Sequence, residues 1–170
     1  MSNQTLLFTR SPKPPGQPAS WKKYKLQFTD RQGRVSWGAE SASFAGTTSI
    51  KATPNQQEAI RFSFIGNGQL QFRAYGGSKY LNIRRSPAHQ PGPTSRLFDL
   101  FLTRETGISG VAMARRTSEL FWTSSGGDTA GWHLCEAKGF NMKFLFFSLS
   151  SLDSFWGAVC EQVKVRAVQA

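Results

Sequence analysis

Short apolar runs with turn residues between them follow one another along nearly the whole chain, and no other feature restricts its fold as strongly. Residues 24–29 (YKLQFT), 34–38 (RVSWG), 48–53 (TSIKAT), 60–65 (IRFSFI), 69–75 (QLQFRAY), 79–83 (KYLNI), 97–102 (LFDLFL), 111–114 (VAMA), 119–124 (ELFWTS), 132–137 (WHLCEA) and 143–149 (KFLFFSL) are all of strand length. Many alternate apolar and polar residues, and β-branched or aromatic side chains dominate, as on a half-buried pleated surface. The last run, 161–170 (EQVKVRAVQA), sets Val163, Val165 and Ala167 at alternate positions, so it also reads as a strand. Helical periodicity is poor throughout. Strands at this density, punctuated by glycine and proline, predict an all-β barrel or sandwich.

A chain of 170 residues can bury one substantial core, so a single domain over residues 21–170 is expected. Residues 11–18 (SPKPPGQP) make residues 1–20 an extended proline-rich arm, because proline lacks an N–H and fixes φ. The segments 86–93 (SPAHQPGP) and 124–131 (SSGGDTAG) read as surface loops. The N-terminus lacks the apolar stretch of a secretory signal, and no run approaches a membrane span, so the expectation is a cytoplasmic protein. Cys135 and Cys160 have no metal-binding spacing; they form either one bridge or two separate thiols.

The runs recur. Phe28, Phe64, Phe101 and Phe147 each sit in an aromatic-rich strand, and spacing of this kind points to repeated units. Segments 34–64, 69–101 and 110–147 can be superposed as three such units. Within them FRAYGGSKYL (72–81) resembles the strand–turn–strand repeat of fascin-like and agglutinin-type β-trefoils, with VAMARRTSELF (111–121) and VSWGAESASF (35–44) as further copies. The resemblance implies a β-trefoil with extra strands at both ends and a tendency to bind ligands through surface loops. It does not name the ligand, since the ricin-type Gln-x-Trp repeat is absent. YKLQFT and QVKVRAVQA, outside the three units, either pair as an added ribbon or form the first and last strands of a jelly-roll sandwich, the alternative fold.

Three groups of residues carry the functional expectations. The loop SSGGDTAGWH offers Asp128, Trp132 and His133, with Trp122 at its entrance; an aromatic face with nearby acceptors is the chemistry that holds a sugar. The hairpin 69–85 buries Phe72, Leu81 and Ile83 on one face. It leaves Arg73, Lys79, Arg84 and Arg85 as a basic surface beside Tyr75, and Arg115 and Arg116 hold a similar place in the third unit. Arginine forks suit phosphate or sulfate. Gly76 and Gly77 serve the turn.

Catalysis has little to build on. His89 and His133 have no metal spacing, GNG at 66–68 is a hairpin turn, and no cofactor motif occurs. His133 and Cys135 alternate on one strand face, but no oxyanion-hole motif accompanies them. The net charge of +11 favours polyanionic partners. The resulting expectation is a non-enzymatic, lectin-like module for carbohydrate or another polyanion. The alternatives are a viral coat protein that assembles and contacts nucleic acid in a virion, and a fascin-like actin-binding protein. The coat reading is thin in one respect: the first twenty residues hold only Arg10 and Lys13, followed by Lys22, Lys23 and Lys25.

Overall fold

The computed structural model describes residues 22–41, 47–85, 97–122, 131–137, 141–148, 154–155 and 158–170. The expected arm at 1–20, the whole loop 86–93, the loop 124–131 up to Gly131 (with Asp128) and the side chain of Arg85 lie outside the described residues. The chain is all-β. Its strands are β1 (Tyr24–Thr29), β2 (Val35–Glu40), β3 (Thr48–Thr53), β4 (Arg61–Ile65), β5 (Gln69–Ala74), β6 (Gly77–Arg85), β7 (Leu97–Thr103), β8 (Val111–Met113), β9 (Leu120–Trp122), β10 (Gly131–Ala137), β11 (Lys143–Ser148), β12 (Ser154–Phe155) and β13 (Ala158–Gln169). Every run named from the sequence overlaps one of these strands; the two-residue β12 was not anticipated.

Alternation decides what each strand buries. Tyr24, Leu26 and Phe28 of β1 point inward, as do Leu70 and Phe72 of β5 and Val163, Val165 and Ala167 of β13. Phe62 of β4 sits among aromatic rings, 5.8 Å from Tyr24, 5.7 Å from Phe64 and 5.3 Å from Phe72. Full burial of a side chain of this size stabilises the fold by about 2–3 kcal/mol. Of the four recurring phenylalanines, Phe101 alone is not fully buried. Leu100 and Leu102 fill the core from β7, whereas Phe101 faces outward beneath Arg84.

The main sheet closes on itself into a nine-strand barrel. Its terminal strands meet: β1 pairs antiparallel with β13 along its whole length, from Tyr24↔Gln169 to Thr29↔Lys164. The ribbon foreseen between the two ends of the chain is therefore part of the barrel wall. The other edge of β1 is shared by β2 and β4. Elsewhere β3, β7 and β11 pair all three ways, through Ser49↔Phe101, Asp99↔Phe146 and Phe144↔Lys51. The separate β8–β9 ribbon is tied in at both ends. The Gly110 N–H donates to the Asn67 carbonyl (2.8 Å), and the Ala167 N–H donates to the Ser118 carbonyl (2.9 Å).

The β5–β6 turn needs its glycines, because Gly76 and Gly77 have φ of +81° and +120°. The two cysteines resolve as a disulfide, Cys135 of β10 standing directly opposite Cys160 of β13. Among the described residues no helix is long and apolar enough to cross a membrane.

Candidate functional site

Three strand ends and the β5–β6 turn surround a cleft of about 1170 Å³. Its floor is an ion pair. Glu40, the last residue of β2, receives Lys79 Nζ on Oε1 at 2.8 Å. The same oxygen accepts the Thr48 hydroxyl at 2.8 Å, and Oε2 accepts the Tyr75 N–H at 2.7 Å. Both charged side chains are buried, 10% and 7% exposed. Burial pushes the Glu40 carboxyl up, but the hydrogen bonds from Lys79, the Tyr75 N–H and Thr48, together with the Lys79 charge, outweigh it and hold the group below the ordinary carboxylate range. Glu40 is therefore an anion fixed in place, a poor proton donor at neutral pH.

The rim carries the other polar and charged groups of the cleft. Tyr75, at the turn, is 94% exposed and presents its ring beside the cleft. Arg104 donates from Nη2 to the Gly76 carbonyl at 3.1 Å, bracing the same turn. Glu58 accepts the Thr53 hydroxyl at 2.9 Å, and Glu105 closes the opposite side with its backbone N–H on Thr103 Oγ1 at 3.4 Å. The lining thus holds the cations Arg73, Lys79 and Arg104 against the carboxylates Glu40, Glu58 and Glu105. Formal charge cancels, and an exposed aromatic stands at the mouth.

The structure brings some expected residues together and parts others. Arg73 and Lys79 do meet at this cleft beside Tyr75. Lys79, however, is not part of an exposed basic face: it shares the inward side of β6 with Leu81 and is 6% exposed. Arg84 lies on the outer face of β6, with Nε 3.6 Å from Asp99 Oδ2 and its guanidinium 5.2 Å above the Phe101 ring. Cross-strand register supplies this acidic partner, since Arg84 stands opposite Asp99 although they are far apart along the chain. Arg115 and Arg116 are exposed between β8 and β9, apart from the cleft.

The tryptophan site is also corrected. Trp132 is 6% exposed, donates its indole N–H to the Leu120 carbonyl at 2.8 Å and packs edge-on against Phe147 at 5.0 Å. Trp122 donates to the Ser109 carbonyl at 2.9 Å and meets the same Phe147 at 5.3 Å. His133 is fully buried, with Nδ1 3.0 Å from the Gly131 carbonyl. Trp132 and His133 serve the core, and Trp122 packs half-buried against it. A Cys–His pair is removed as well, because Cys135 is in the disulfide.

Sequence reasoning missed Glu40, Glu58, Arg104 and Glu105. Glu40 carries one faint signal, an acid at the end of a strand whose middle is buried. Compared with known proteins, the chain matches no family model, no curated protein and no solved structure.

Proposed function

We propose that the chain is a non-enzymatic carbohydrate-binding module of β-trefoil type, and that the sugar seats in the cleft over Glu40 and Lys79. The trefoil reading is supported by the cyclic pairing of β3, β7 and β11. In register, Ser49, Asp99 and Phe144 hold one position, and Lys51, Phe101 and Phe146 the position two residues on. Each residue of the first set pairs with one of the second on the next strand in the cycle. Buried hydroxyls repeat with it: Thr53, Thr103 and Ser148 stand opposite Trp37, Tyr80 and Gly131. One closed barrel, rather than two facing sheets, favours this reading over the jelly-roll.

The observation that carries the functional reading is the balanced lining of the cleft beside exposed Tyr75. A sugar offers an apolar ring face for an aromatic and hydroxyls that both donate and accept. Glu58 and Glu105 supply acceptors, and Lys79, Arg73 and Arg104 supply donors. A strongly anionic ligand would face three carboxylates here and is disfavoured at this site. The coat-protein alternative leans on the arm at residues 1–20, which lies outside the described residues.

The test is a broad array of neutral and charged glycans probed with the wild-type chain and Tyr75→Ala. Binding to a neutral glycan that disappears in Tyr75→Ala, with an unchanged melting temperature, is the expected result. An array with no neutral ligand would sink the reading.

A further inference from the structure

A second, purely cationic surface adjoins the cleft. Lys25 of β1 stands directly opposite Arg61 of β4, and Arg61 stands directly opposite Arg73 of β5. Neighbouring strands are about 4.8 Å apart, so this row of cations crosses roughly 10 Å of barrel wall. Like charges placed opposite one another destabilise a sheet. The core does not call for them, because the side chains alternate to the outer face while Phe62 and Phe72 fill the interior. Lys23 adds a further cation above the row.

Among the described residues none of Lys23, Lys25, Arg61 and Arg73 makes a salt bridge. Lys23 Nζ donates to Ser63 Oγ at 3.2 Å and Lys25 Nζ to the Gln56 carbonyl at 3.1 Å, neutral partners that position the ammonium groups without cancelling them. A groove of about 400 Å³ runs over Lys23, Arg61 and Arg73, and its other polar lining is Ser63, Gln71 and Ser78, with no carboxylate. Arg73 lines both this groove and the cleft.

We infer that Lys23, Lys25, Arg61 and Arg73 form a sulfate-binding ladder, and that the ligand is a sulfated polysaccharide whose sugar enters the cleft while its sulfates lie along the row. The choice of a sugar rests on the reading of the cleft given above; the ladder itself rests on register and charge. Guanidinium forks from Arg61 and Arg73 match the oxygens of one sulfate. Nucleic acid shares the oxyanion chemistry, but strands of bases are held by stacking on exposed aromatic rings. The two rings lining this groove, Phe62 and Phe72, are 1% and 0% exposed.

The test compares dextran sulfate, neutral dextran oligosaccharides and a single-stranded oligonucleotide, across a salt series, on the full chain and on Lys25→Ser/Arg61→Ser. Neither substituted residue lines the cleft. The double variant is expected to bind dextran sulfate about tenfold more weakly, with a salt dependence flatter by roughly one to two units. It should melt no lower than the wild type, since like charges no longer face one another, and should keep any affinity for neutral sugar. Unchanged dextran sulfate binding in the double variant overturns the ladder. An oligonucleotide bound as tightly as dextran sulfate overturns the choice of glycan. Wild-type chain that binds dextran sulfate through the ladder but no neutral sugar leaves the ladder standing and removes the cleft reading alone.

Discussion

Lys79 and Glu40, 39 residues apart in the chain, meet at 2.8 Å on the floor of the cleft. Each is buried, and each would be an uncompensated charge without the other. Lys79→Met is therefore expected to cost about 3–5 kcal/mol, the usual penalty for breaking a buried pair. Replacing both, as Lys79→Met/Glu40→Leu, should recover much of that loss. A double-mutant cycle by chemical denaturation measures the coupling; additive single effects would show that the pair is not the link between β2 and β6.

The same pair sets an acid dependence. The Glu40 carboxyl is held below its ordinary value of 4.5 in the folded chain. A depressed carboxylate contributes stability that is fully present above its unfolded pKa and is lost as pH falls through the folded value. Stability should thus be flat across neutral pH with respect to this group and should fall on acidification below about pH 4.5. In Glu40→Gln that component of the acid slope should vanish. Thermal melts over an acid series decide it, and an identical slope in the variant would assign the acid dependence to other carboxylates.

The extent to which the sequence foretold these features follows the range of the forces. Strands were legible because alternation is local: Leu70 and Phe72, or Val163 and Val165, declare a buried face within one short run. The inward turn of Lys79 was legible by the same rule, since residues 79, 81 and 83 share a face, yet a lysine on that face is read outward by habit of charge. On β7 both faces are apolar, and only Asp99, which shares a face with Phe101, signals that Leu100 and Leu102 point inward. What stayed hidden is long-range. Nothing near Glu40 in the chain announces Lys79, and nothing near Arg61 announces that it will stand between Lys25 and Arg73. Trp132 looked like a ligand platform because its neighbours are glycines and polar residues, while its true neighbour is Phe147 on the next strand.

The Cys135–Cys160 bond joins β10 to β13 across a separation of 25 residues. Closing a loop of that size restricts the unfolded chain by about 3.5 kcal/mol in the chain-entropy account. Cys135→Ser/Cys160→Ser, or the reduced protein, is expected to lose about 2–4 kcal/mol while keeping its β-sheet signature. Equal stability of oxidised and reduced protein in urea would show that the sheet pairing alone holds the strands.

Arg84 gives a contrast to the ladder. Its guanidinium is already matched by Asp99 at 3.6 Å and lies over Phe101, with the side chain 60% exposed. Arg84→Ser should change stability by no more than about 1 kcal/mol, as for other surface pairs. Its dextran sulfate affinity should stay near that of the wild type, whereas Lys25→Ser/Arg61→Ser loses binding. If Arg84→Ser weakens binding as much as that double variant, the cationic surface extends over β6 and the ladder is only one part of it.

Tyr75 and Trp132 exchange the parts that their chain neighbourhoods imply. Trp132 is enclosed by Phe147 and hydrogen-bonded to the Leu120 carbonyl, so Trp132→Ala should remove a large buried ring and cost about 3–5 kcal/mol. Any loss of ligand binding there should track the unfolded fraction and return when the assay is cooled. Tyr75 is 94% exposed, so Tyr75→Ala should move stability by no more than about 0.5 kcal/mol. Its backbone N–H, which donates to Glu40, survives the substitution, so the floor of the cleft stays intact. The binding loss in Tyr75→Ala should therefore occur with an unchanged melting curve. A Trp132→Leu variant that stays folded supplies the decisive comparison. Full glycan binding in that variant, with none in Tyr75→Ala, places the sugar at the cleft; the reverse pattern would return it to the loop before β10.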